Sequence, residues 1–141
     1  MKYFLLLVTV LGGLTQSHAQ TNPKTEIHKV IFQMSTANAE EQEGLISNLE
    51  SLKKGWGDNI LIEVVAHGPG ITFLMKDKSA VAEGIAKMLK EGVIFVACEN
   101  TMHKKNITKE QLIEGAGTVP MGIGEIILKQ EQGWSYIKGN F

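Results

Sequence analysis

The chain has 141 residues, 43% of them hydrophobic, and 14 basic against 15 acidic side chains for a formal charge of −1. Every basic residue is Lys, so the near-neutral balance offers no patch for nucleic acid, an anionic membrane or a polyanionic substrate, and the bidentate Arg clamp for phosphate or carboxylate is missing. The length suits one small domain with enough apolar content for a core.

Lys2, the apolar run from Tyr3 to Leu14, and Ser17-His18-Ala19 as a small-x-small cleavage site make residues 1–19 a secretory signal peptide. That run is shorter than the ~20 residues a membrane span needs, and no later stretch is longer. The expectation is a mature protein starting at Gln20, periplasmic or secreted, with no membrane attachment after cleavage. Residues 20–26 are polar and contain Pro23, a flexible lead-in to a single domain over 27–141.

Ile27 to Met34 reads as the first strand, with Val30-Ile31-Phe32 as its buried middle. The period then changes. Leu45, Leu49 and Leu52 recur at helical spacing, Asn38 and Glu41 resemble a capping box, and Lys53-Lys54 precede stops at Gly55 or Gly57. Ile60 to Ala66 is a second buried strand, followed by His67-Gly68-Pro69-Gly70, where Pro69-Gly70 fits a type II turn. After the apolar piece Ile71 to Met75, a helix opens at Ser79. Its inner face is predicted as Ala82, Ile85, Ala86 and Leu89, with Glu83 and Lys87 as an i,i+4 pair.

Gly92 ends that helix, and the β-branched run to Cys98 reads as a third strand buried on both faces. Thr108 to Gln111 opens a short helix through Ile113, Thr118-Val119 is a short strand stopped by Pro120, and Gly122 to Gln132 is a last helix with Ile123, Ile126 and Ile127 inward. Trp134 to Lys138 is a closing aromatic strand. This alternation predicts a three-layer α/β/α sandwich around a mostly parallel five-stranded sheet.

In such a sheet, ligands collect beyond the carboxyl ends of the strands, where Cys98 falls. It is the only cysteine, so no internal disulfide forms. The thiol is buried and inert, paired between chains, or free for chemistry. A helix start after Glu99-Asn100 favours thiolate, whereas free cysteine often packs as a small hydrophobe and Glu99 opposes ionisation if it faces the sulfur.

His67 ends its strand as Cys98 ends the next, which permits a Cys–His pair if the strands are neighbours; the plainer reading is a polar residue opening a turn. His103, five positions after Cys98, is a second candidate assistant or an ordinary surface histidine. No metal site is expected: His28, His67 and His103 show no i,i+4 pairing, and nothing in the spacing demands a soft Cys98–Met102–His103 set. No cofactor motif is complete either. Gly68-Pro69-Gly70 lacks the Gly-Lys-Ser/Thr of a phosphate loop, and Gly122-Ile123-Gly124 lacks the third glycine of a dinucleotide fingerprint.

Lys29 to Gln33, Glu63 to Gly70, Gly92 to Met102, Val119 to Gly122 and Gln132 to Ile137 together resemble the DsrE/DsrF-like proteins of sulfur relay over essentially the whole mature chain. The resemblance implies a compact α/β/α fold and assembly as a trimer or hexamer. It also implies a cysteine that carries a persulfide, at the position of Cys98, with a sulfur donor or acceptor as partner. The expected function is an exported sulfur carrier using Cys98. The alternatives are a module that binds a small ligand through Gln33, His67, Gly68 and Asn100 without covalent chemistry, or one whose oligomer is its function.

Overall fold

The computed structural model describes residues 26–141; the expected signal peptide, and all of the lead-in but Glu26, lie outside the described residues. In chain order the elements are β1 (His28–Met34), α1 (Ala39–Trp56), β2 (Ile60–Ala66), α2 (Ala82–Lys90), β3 (Ile94–Cys98), α3 (Glu99–Lys105), β4 (Gly117–Val119), α4 (Gly122–Glu131) and β5 (Ser135–Lys138). Short 3-10 turns cover Gly57–Asn59, Gly68–Leu74 and Lys109–Gln111. The five strands form one sheet in the order β4-β3-β2-β1-β5, with every neighbouring pair parallel.

Strand alternation splits the apolar side chains between two faces. Phe32, Ile62, Val64 and Phe95 pack with Leu45 and Leu49 of α1, Ile85 and Met88 of α2, and Phe73 to form the larger core. The other face carries a small cluster of Ile31, Val65, Val96 and Ile126, flanked by Val119 and Trp134. Topology explains the imbalance. The chain steps from β1 to β4 in one direction and then crosses back past β1 to reach β5, so right-handed crossovers put α4 alone on the second face. Uncovered by other helices, Leu61 of β2 and Ile94 of β3 stay 44% and 47% exposed, so these strands are not buried on both faces along their whole length.

Local signals set α1 well. Asn38 is its cap, Oδ1 accepting from the Glu41 N–H at 3.2 Å, and it ends at Gly57 with φ +54°. Four other expectations are corrected. In place of a type II turn at Pro69-Gly70 the chain makes a 3-10 turn; the positive φ belongs to Gly68, at +54°, and Gly70 is required because a β-carbon there would collide with the Met34 carbonyl. In α2, Ile85 is buried and Ala82 and Leu89 pack against the core as expected, but Met88 is buried there while Ala86 is exposed, and Lys87 pairs at 2.8 Å with Glu50 of neighbouring α1 rather than with Glu83.

The helix expected over residues 108–113 is a single 3-10 turn, stopped because the Ile113 N–H donates to the Leu74 carbonyl at 2.9 Å. Its cap survives in the Thr108 N–H donating to Gln111 Oε1 at 2.8 Å. Finally, Ile123 and Ile127 of α4 point outward, 52% and 50% exposed, and only Ile126 of the three is buried. The inner stripe of α4 is Gly122, Ile126 and Lys129, because the helix is seated on the sheet through its glycine and its lysine.

Candidate functional site

The order of connection reverses at β1, with β2 to β4 on one side and β5 on the other, and the crevice beyond the strand ends there is the usual place for a ligand. Alternation and register put one row of side chains along this edge, all on the α4 face. Ala66 of β2 pairs with Ala97 of β3, so His67 and Cys98 occupy the next rung, on strands ~4.8 Å apart. Gln33 of β1 stands on the other side of His67, with its Nε2 2.8 Å from His67 Nε2. Tyr136 of β5 completes the row by donating its hydroxyl to Gln33 Oε1.

The row fixes the proton on the imidazole. Tyr136 occupies the amide oxygen of Gln33, so the amide nitrogen donates to His67 Nε2, which is then an acceptor and leaves the ring proton on Nδ1. Burial agrees with this, holding the His67 pKa below its ordinary 6.5. His67 is therefore a neutral imidazole whose Nε2 is already taken.

Cys98 closes β3 and sits at the cap position of α3, the residue 6% exposed. The first N–H of α4, that of Gly122, donates to Cys98 Sγ at 3.2 Å. A β-carbon on Gly122 would lie 3.1 Å from Cys98 Cβ and 3.2 Å from both His67 Cβ and Val65 Cγ1, so any side chain there would have to push these neighbours back by a few tenths of an ångström. From α3, the N–H of Thr101 acts on the same sulfur without closing a capping hydrogen bond, while that of Asn100 is donated to the Pro120 carbonyl at 3.3 Å. The Thr101 hydroxyl accepts from the Gly68 N–H at 3.0 Å, leaving its own proton for the sulfur.

Burial pushes the thiol pKa up, but the donors of Gly122 and Thr101 lead in outweighing it and hold the thiol below its ordinary value. Glu99, the neighbour expected to oppose ionisation if it faced the sulfur, turns toward β4, where its Oε1 accepts from Thr118 Oγ1 at 2.7 Å. The arrangement can thus hold a thiolate, and a thiolate is both a nucleophile and a leaving group.

Of the residues singled out in the sequence, Gln33, His67 and Cys98 come together in one row, Gly68 joins through Thr101, and Asn100 stands exposed on the first turn of α3. His103 does not join. It is exposed on the last turn of α3, while Met102 points into the larger core, so a Cys98–Met102–His103 set does not converge. Among the described residues, no group of three or more His, Cys, Asp and Glu gathers as a metal site, and no helix is long and apolar enough to cross a membrane. Sequence reasoning missed Tyr136, Thr101 and the N–H of Gly122. The glycine pair at 122 and 124 signalled a close approach of helix to sheet, without saying to which residue.

Fold and site together define a parallel α/β/α protein with a cysteine at a strand end, capped by two helix amino termini. The model of the DsrE/DsrF-like family matches residues 20–138, and the chain belongs to that family. A solved protein of unknown function from Methanobacterium thermoautotrophicum is similar at 32% identity and a TM-score of 0.75, covering 79% of this chain and 98% of that one. A conserved protein of unknown function from Bacteroides thetaiotaomicron shares the fold at 20% identity and a TM-score of 0.64, over 78% of this chain and 93% of that one. No curated protein matches the chain.

Proposed function

We propose that this chain is a sulfane-sulfur carrier in which Cys98 holds the sulfur as a persulfide. The observation that carries the reading is the Gly122 N–H donated to Cys98 Sγ at 3.2 Å by a helix start packed closely on the sheet through its glycine, supported by family membership. The Cys98 thiolate attacks the sulfane sulfur of a polysulfide, a sulfur–sulfur bond breaks, and the shortened donor leaves as an anion. An acceptor thiolate then attacks the outer sulfur of the persulfide and Cys98 leaves as thiolate into the same N–H donors. Neither step changes the overall oxidation level, so no redox cofactor is required. The burial of Cys98, a residue only 6% exposed, favours a slender inorganic donor over a bulky one.

Incubating the protein with polysulfide is expected to add the mass of one sulfur atom, removable by reductant and by a small thiol, and Cys98→Ser is expected to show neither event. An unmodified wild-type chain under conditions where free thiols load refutes the reading. A second reading has its own support in the Tyr136–Gln33–His67 row, which presents ordered polar groups at the switch of the sheet: a non-covalent site for a small ligand. It predicts binding that survives Cys98→Ser.

The same proposal includes export and self-association. Export rests on the pattern of residues 1–19 and predicts an intact mass beginning at Gln20. Self-association is supported by the apolar residues left open on the α4 face, among them Leu61, Ile94, Met121, Ile123, Ile127 and Leu128.

A further inference from the structure

The α4 face holds one group that the sulfur chemistry does not use. Glu63, in the middle of β2, is 2% exposed, and its Oε2 lies 2.6 Å from Lys129 Nζ of α4. Its other oxygen, Oε1, is buried with no hydrogen-bond partner. A buried ion pair left half satisfied is poorly suited to stabilising a fold, since the orphan oxygen keeps its desolvation cost. Such pairs are better suited to specifying one arrangement among several.

The arrangement here is the seat of α4. Its inner stripe is Gly122, Ile126 and Lys129, at i, i+4 and i+7. Ile126 supplies an apolar contact without direction, so the directional contacts of the inner stripe are those at Gly122 and Lys129. At one end Gly122 presses on Cys98 and His67; at the other Lys129 reaches Glu63, with Glu125 Oε1 at 3.5 Å and the Trp134 ring centroid 4.5 Å from its ammonium. Seven residues of helix separate the two ends, ~10.5 Å along a rigid element, so a slip at Lys129 is passed on to Gly122. The groups facing the Glu63 carboxylate are Lys129 and Glu125 from α4, with Ile31 beside it on β1 and Ile94 on β3.

We infer that Glu63 and Lys129 are positioning residues for the reactive thiol: their ion pair sets where the amino terminus of α4 stands, and thereby how strongly the Gly122 N–H favours the Cys98 thiolate. The inference rests on the reading of Cys98 as a working thiolate, but its test does not need sulfur transfer. Thiolate absorbance and alkylation rate are followed against pH in the wild type, in Glu63→Gln, in Lys129→Met, and in the double variant Glu63→Leu with Lys129→Met. The double variant removes the pair without leaving a lone buried charge, so it reports even if a single variant fails to fold. The midpoint of the profile reads ionisation, whereas the high-pH plateau reads access.

The midpoint is expected to rise in the folded variants, with about tenfold less thiolate at neutral pH for each unit of rise. Circular dichroism serves to confirm the fold. A folded double variant whose midpoint coincides with that of the wild type overturns the inference. If the midpoint rises while wild-type protein takes up no sulfur, the positioning role stands and the carrier reading falls.

Discussion

Cys98 has no charged partner on which to lean. What acts on its sulfur are dipoles: the Gly122 N–H at 3.2 Å, and the N–H and hydroxyl of Thr101. This makes Gly122 the residue where geometry and chemistry meet. Gly122→Ala puts a carbon 3.1 Å from Cys98 Cβ and 3.2 Å from His67 Cβ, backbone-proximal atoms that yield little. The expected loss is ~1–3 kcal/mol in urea unfolding, accompanied by a rise in the thiol midpoint; an unchanged midpoint would show that the N–H is not what favours thiolate.

His67 gives a pH prediction whose sign follows from burial. Its folded pKa lies below 6.5, so the unfolded chain binds the proton more readily. The contribution of neutral His67 to stability is complete above pH 6.5 and is lost as the pH falls from there through the folded value. Urea titrations from neutral to mildly acidic pH are expected to show a steeper loss in wild type than in His67→Gln. Equal slopes would mean that the imidazole is not held neutral.

How much of this the residues disclose by themselves depends on how far the partner lies along the chain. The strand ends at His67 and Cys98 are legible, because apolar β-branched runs stop there, and their adjacency follows once β2 and β3 pair. Tyr136 is not legible. Its partner Gln33 lies 103 positions away, and only the crossover that sets β5 against β1 brings them together. In the same way Glu99 is neutralised as a threat to the thiol only by Thr118, which arrives with β4.

Among the elements, α4 shows where periodicity misleads. Ile123, Ile126 and Ile127 are the apolar residues, and counting them inward is what a 3.6-residue period demands. The helix turns otherwise because Gly122 must meet the sulfur and Lys129 must meet Glu63, neither of which is a hydrophobic signal. The ion pair lends itself to measurement: Lys129→Met alone leaves Glu63 buried without its partner and is expected to cost ~3–5 kcal/mol. Replacing both residues by apolar ones is expected to be nearly neutral or stabilising in urea unfolding. A double variant as unstable as the single would mean that the pair itself, rather than the lone charge, carries the stability of α4.

For the whole molecule, the uneven layering decides what is left open. One face of the sheet is covered by α1 and α2, the other by a single helix of 10 residues, itself apolar on its outer side. A second copy covering Ile123, Ile127 and Leu128 is the proposed remedy, and Met121, next to Gly122, would bring that contact to the rim of the thiol site. Sedimentation at micromolar concentration is expected to show an oligomer that Ile127→Lys dissociates into folded monomers. A wild-type chain that sediments only as monomer contradicts the assembly.

The fold as a whole has one purpose on the proposed reading, to make a single thiol ready for sulfur. The rate at which polysulfide loads Cys98, followed by intact mass in the folded protein and in the same protein unfolded in denaturant, compares the thiol with and without its surroundings. The folded chain is expected to take up one sulfur atom faster at neutral pH, because only there do Gly122 and Thr101 favour the thiolate. A folded chain that loads no faster than the unfolded one would contradict the sulfur-carrier reading.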